Sequence, residues 1–140
     1  VVRSDVVVAG AELVVNPDPG RGMRSSLELA VSAADATQPL VVILVDVPGI
    51  GADTVRAVLD AWRPGRVAVA RYATRLGHPV AMEPALWRGA IALAGPDEGA
   101  RTFFAARPDL LVQVPVPGDP GDIDTPADLT ALGASPDVES

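Results

Sequence analysis

Carboxylates are the groups of this chain whose spacing best suits chemistry. Asp46 closes the apolar run Leu40 to Val45 and precedes Pro48 and Gly49. Ligands of an open α/β sheet sit at the carboxyl ends of its strands, so an acid there faces a crevice as a ligand or stands as a turn residue. Asp122 and Asp124 lie two residues apart in Gly118-Asp119-Pro120-Gly121-Asp122-Ile123-Asp124-Thr125-Pro126. In an extended segment both face one side and offer two oxygens to a hard cation. Alternatively, Asp124 or Thr125 caps a helix that Pro126 opens. Gly20-Arg21-Gly22-Met23-Arg24-Ser25-Ser26 combines glycines that admit close approach, a helix start whose N–H groups suit a phosphate or base edge, and two arginines. A serine-capped loop explains it equally simply. Gly77-His78-Pro79 and Gly99-Ala100-Arg101 read as substrate contacts, or as a turn and an ordinary helix start.

Absences narrow the chemistry further. The chain has no cysteine, all eleven basic residues are arginine, His78 is the only histidine and Asn16 the only asparagine. Thiolate sites, lysine Schiff bases and multi-imidazole metal centres are excluded, which leaves carboxylates and therefore magnesium or manganese. A Ser-His-Asp triad could form only around His78, and no Gly-x-Ser-x-Gly elbow presents a serine. The net charge of −7 argues against nucleic acid or an anionic membrane as partner. The longest apolar run is far short of a bilayer span and nothing resembles a signal peptide, so a soluble cytoplasmic protein is expected. At 140 residues one domain is expected.

Hydrophobic period supplies the elements that must position these groups. Asp5 to Ala9 and Glu12 to Asn16 read as short strands. Only Gly10 and Ala11 separate them, so either a tight hairpin joins them or a crossover stretch is missing. Leu27, Ala30, Val31 and Ala34 stripe a helix over 25–36. Leu40 to Val45 has the pattern of a strand buried on both faces. Val55, Val58, Leu59 and Trp62 stripe a helix that Asp53 can cap, and Val67 to Tyr72 is the next strand. Trp87, Ala90, Ile91 and Ala94 stripe a third helix, with a short one near 100–106, a strand at Leu110 to Val114 and a helical turn after Thr125. Alternation of this kind predicts an α/β protein: a Rossmann-like three-layer α/β/α sandwich with a mostly parallel sheet.

In chain order the motifs are more specific than they are singly. Asn16-Pro17, then Gly22-Met23-Arg24-Ser25-Ser26-Leu27, Leu44-Val45-Asp46-Val47-Pro48, Gly77-His78-Pro79, Gly99-Ala100-Arg101 and Asp122-Ile123-Asp124-Thr125-Pro126-Ala127-Asp128-Leu129 together resemble the MobA-like nucleotidyltransferase family. The likeness is greatest to its molybdenum cofactor cytidylyltransferase branch, and it covers a domain at 1–132, followed by a tail at 133–140. The resemblance implies that Asp46 and Asp124 are catalytic and bind Mg2+ or Mn2+, with Asp122 as a further metal-facing carboxylate. It places Asn16, Gly22, Ser25 and Ser26 on the nucleotide side, and Gly77, His78 and Arg101 on the acceptor side. The family opens with a glycine-rich loop ending in arginine and lysine that cradles the triphosphate. No such loop precedes Val1, which implies a longer native chain or a degenerate relative of low activity.

The expected activity is therefore transfer of CMP, or GMP, from an NTP to a small phosphorylated acceptor such as molybdopterin cofactor, with release of pyrophosphate. CTP is the favoured nucleotide. One alternative is a non-catalytic nucleotide- or cofactor-binding protein that hands cofactor to a molybdenum enzyme. Another is an A-type glycosyltransferase, whose Asp-x-Asp metal motif Asp122-Ile123-Asp124 imitates, although it lies near the chain end rather than after a mid-sheet strand.

Overall fold

The structure, a computed structural model, describes residues 9–44, 47, 49–73, 75–96 and 99–118. The strand expected at 5–9 (apart from Ala9), the Asp46 and Asp122 to Asp124 carboxylates, and the helical turn after Thr125 lie outside these residues. The described elements are α1 (Met23–Ala33), β1 (Leu40–Val42), α2 (Ala52–Ala61), β2 (Val67–Tyr72), β3 (Arg75–Met82), α3 (Pro84–Leu93), α4 (Arg101–Ala106) and β4 (Leu111–Val116). Single 3-10 turns at Pro19–Arg21 and Pro108–Leu110 lead into α1 and β4.

The four strands form one sheet in the order β1-β3-β2-β4. β3 runs antiparallel to both neighbours, and only β2 and β4 are parallel. The sheet is thus mixed, not mostly parallel. The reason is local: Tyr72 pairs with Arg75, so β2 and β3 form a hairpin, and consecutive strands joined so tightly must be antiparallel. Ala73 takes the left-handed conformation, φ 52°, used by two-residue hairpin turns.

β3 was not expected from the sequence because Gly77-His78-Pro79 looks like a turn. Proline is unfavourable inside a central strand, where it removes a ladder donor. The sheet accommodates it with a bulge: Val69 pairs with Val80 and Ala70 with Gly77, so His78 and Pro79 have no partner on β2. The His78–Pro79 peptide is cis. The same proline explains why β1 is only three residues long. Its ladder ends at Val42 opposite Val80, and the next residue of β3 is Pro79, which has no N–H to offer.

The strand buried on both faces is β2, not the run from Leu40 to Val45. Among the described residues β1 is an edge strand, half-buried throughout, and Ile43 just beyond it is 50% exposed. On β2, Val67 and Val69 join one core with Val31, Val80, Met82, Trp87, Ile91 and Phe103. Ala68, Ala70 and Tyr72 join another with Val58 and Ala81. Helices α1, α3 and α4 therefore cover one face and α2 the other, giving the three layers expected. Trp87 is 1% exposed and its indole N–H donates to the Leu40 carbonyl at 2.9 Å, tying α3 to β1. The segment Glu12 to Asn16, expected as a strand, pairs with none of the described strands, and Leu13, Val14 and Val15 are exposed. Gly51 rather than Asp53 caps α2; Asp53 lies in its first turn.

Candidate functional site

β3 ends opposite the start of β1, Met82 against Leu40, and α3 follows at once. Helix α3 returns over the sheet, so its last turn reaches the edge where β1 and β2 end. Arg24, in the first turn of α1, meets it there: its guanidinium donates to the Ala94 carbonyl at 3.1 Å and its N–H to the Pro96 carbonyl at 3.1 Å. The start of α1 thus lies at the carboxyl edge of the parallel strands, the edge at which α/β proteins bind ligands.

Asn16, Gly22, Ser25 and Ser26 converge at this point. The Asn16 side-chain amide donates to Ser25 Oγ at 2.8 Å and to Ser26 Oγ at 3.0 Å. Its oxygen accepts the Asp18 N–H at 2.9 Å, an Asx turn that steers the chain into the 3-10 turn at Pro19. Ser25 Oγ in turn donates to the Gly22 carbonyl at 2.8 Å. Gly22, not a serine, caps α1, and its φ of 92° lies in the region that excludes side chains. Asn16 and Ser25 are the buried polar residues of the described structure. Burying them is tolerated because they satisfy one another.

This cluster floors a shallow depression of about 130 Å3 lined by Val14, Asn16, Ser26, Leu29 and Ala30. That is below the ~300 Å3 at which small-molecule pockets begin, so it can take an edge or a ring but not enclose a nucleotide. Two expectations for this loop need correction. Arg24 is not held ready for an anion, because it pairs with Glu28 at 3.1 Å and caps α3 through Ala94. The Arg24 N–H is likewise engaged by Pro96.

Arg101 opens α4 and is exposed, and nearby Gly99 is close enough to Met23 of α1 that an added Cβ would lie 3.8 Å from its Cε. The expected acceptor-side helix start and the nucleotide-side loop are therefore neighbours. Gly77 and His78 sit at the bulge of β3. The Tyr72 hydroxyl donates to the His78 carbonyl at 2.6 Å, which fixes the bulge. Burial pushes the Tyr72 phenol above its usual range, so it remains a donor at neutral pH. Sequence reasoning missed this tyrosine, whose strand position reads simply as core. Among the described residues no group of three or more acidic, histidine or cysteine side chains could hold a metal, and no helix is long and apolar enough to cross a membrane.

Known proteins resemble this chain in sequence and fold. The model of the MobA-like NTP transferase domain matches residues 1–111. Nicotine blue oxidoreductase of Paenarthrobacter nicotinovorans is 35% identical over 106 residues, 71% of this chain and 52% of its own. The crystal structure of the Mycobacterium tuberculosis rv0371c homolog from Mycobacterium sp. strain JC1 superposes with a TM-score of 0.65 at 30% identity, over 76% of this chain and 55% of that one. The chain thus spans about half the length of each relative.

Proposed function

The chain belongs to the MobA-like NTP transferase domain family, and from that premise we propose that it transfers a nucleotidyl group, CMP before GMP, from an NTP to a small phosphorylated acceptor of the molybdopterin type. An acceptor phosphate oxygen attacks the α-phosphorus in line, a new P–O bond forms, and the bond to the leaving pyrophosphate breaks. The family match over 1–111 carries this reading. The convergence of Asn16, Ser25 and Ser26 at the carboxyl edge supports it by offering polar atoms and an apolar shelf to the nucleotide. Gly77, His78 and Arg101 contact the acceptor.

Asp46 and Asp124, with Asp122, would hold Mg2+ or Mn2+, since an all-oxygen donor set suits a hard cation. When bound, the cation neutralises charge developing on the phosphates. A second reading comes from the 35% identity to nicotine blue oxidoreductase: the same fold acting on nicotine blue by oxidation or reduction. A pyrophosphate-release screen against the four NTPs, run with Mg2+ and molybdopterin cofactor as acceptor, separates the two. Release with CTP or GTP supports nucleotidyl transfer. In a parallel assay with nicotine blue and a nicotinamide hydride donor, loss of the blue colour without pyrophosphate release from any NTP overturns it in favour of the second.

A further inference from the structure

Among the described residues, two buried side-chain nitrogens have no hydrogen-bond partner: the indole nitrogen of Trp62 and Nε of Arg71. The first is neutral and sits beside the second core. The second belongs to a charged group, for which a missing partner is more costly, and it calls for a reason.

Its position supplies one. Arg71 is the last residue but one of β2, next to the carboxyl edge. Strand alternation puts it on the same face as Val67 and Val69, the face covered by α1, α3 and α4. Its neighbours across the ladders are Leu76 and Pro115, neither of which carries a side-chain acceptor. With Nε buried and the residue only half-buried, the stem is packed while the guanidinium emerges at the edge. Arg101 and the start of α1 belong to the same face.

Four other arginines among the described residues are disposed differently. Arg24 is held by Glu28 and Ala94, Arg63 by the Asp60 and Trp62 carbonyls, and Arg107 by Asp109. Arg66 precedes β2 at the opposite edge and is exposed. In a lysine-free chain of net charge −7, the arginine guanidiniums are, with His78, the side-chain cations available to an anionic ligand.

We propose that Arg71 is an anion-binding residue that takes a phosphate group of the substrate at the carboxyl edge of the sheet. A guanidinium presents parallel N–H donors that match two phosphate oxygens, and the terminal Nη groups, beyond the buried Nε, are the ones that a ligand at the edge meets. The identification of the anion as a substrate phosphate rests on the nucleotidyltransferase reading; the anion site itself does not.

Titration calorimetry with inorganic pyrophosphate tests it, using the unaltered chain, Arg71→Met, Arg71→Lys and, as a surface control, Arg66→Met. Arg71→Met should weaken pyrophosphate binding by about tenfold or more, the loss of a charge-assisted hydrogen bond, with Arg71→Lys weakened less and Arg66→Met unchanged. The melting temperature of Arg71→Met should equal or exceed that of the unaltered chain, because methionine replaces the packed stem and removes an unpaired donor. Unchanged affinity in Arg71→Met, or in Arg71→Lys if the methionine variant fails to fold, overturns the proposal. So does the absence of pyrophosphate binding in the unaltered chain. Pyrophosphate bound through Arg71, with no NTP yielding pyrophosphate, would leave the anion site standing and sink the transferase reading alone.

Discussion

Replacing Asn16 by alanine removes three hydrogen bonds at once: to Ser25 Oγ at 2.8 Å, to Ser26 Oγ at 3.0 Å and from the Asp18 N–H at 2.9 Å. Their worth differs with burial. The Ser25 bond is buried and the other two are partly so, which leaves water able to replace some of what is lost at Ser26 and Asp18. At about 1 kcal/mol for the well-buried bond and about half that for each bond where water substitutes, the loss is roughly 2 kcal/mol. For a domain of this size that lowers the melting temperature by about 6–10 °C. Thermal unfolding followed by circular dichroism reads the shift directly. Asn16→Asp makes the sharper comparison, since it keeps an oxygen for the Asp18 N–H and lets the Ser26 hydroxyl donate to a carboxylate at the positive end of α1, while Ser25, with a single hydroxyl proton, must leave the Gly22 carbonyl to do the same. That variant should unfold within about 3 °C of the unaltered chain, a difference of less than one such bond. Its affinity for CTP should nevertheless fall, because the new negative charge repels a nucleotide triphosphate. An alanine variant that melts within about 2 °C of the unaltered chain would refute the assigned structural weight of the cluster. An aspartate variant with undiminished CTP binding would refute its place at the nucleotide.

Three further outcomes are expected. Asp46→Asn and Asp124→Asn should each reduce Mg2+-dependent pyrophosphate release by about 100-fold or more while leaving the melting temperature within error, since a lost metal ligand acts on charge neutralisation rather than packing. Tyr72→Phe removes the donor to the His78 carbonyl and should cost about 1 kcal/mol in denaturant titration, with KM for the acceptor raised more than KM for the NTP. Asp109 is held below the usual carboxylate range, first by its side-chain hydrogen bond from Arg107. A depressed folded-state value means that its contribution stands at neutral pH and is lost as pH falls below about 4, so Asp109→Asn should show a shallower stability decline over that acid range.

Much of the architecture was readable in the residues. The stripes on 25–36, 55–62 and 87–94 each mark a helix, with ends shifted by a few residues, because a helix that must bury one side repeats its apolar positions every three or four residues. The strand at Val67 to Tyr72 was likewise visible. The hairpin partner β3 was not. Its register depends on a bulge that lifts His78 and Pro79 out of pairing, and the residues that make a bulge are the same ones that mark a turn. Nor could the fate of individual polar groups be read: Arg24 looks like an anion ligand in Gly20-Arg21-Gly22-Met23-Arg24, yet it is held by Glu28 one turn on and by the Ala94 carbonyl just past α3, 70 residues away in sequence.

What the sequence alone determined is the side-chain inventory of these 140 residues, without thiol or lysine amine and with one imidazole, and a motif order that places the chain in its family. Those conclusions need only residue types and spacing. What the tertiary structure decided is which strand occupies the centre of the sheet, that β3 runs against its neighbours, and that Asn16 engages Ser25 and Ser26 while Arg71 keeps an unpaired Nε. The physical reason is range. Periodicity and turn preference act over one or two helical turns, whereas strand order, burial and hydrogen-bond partnership are settled by groups distant in the chain competing for the same space and the same donors.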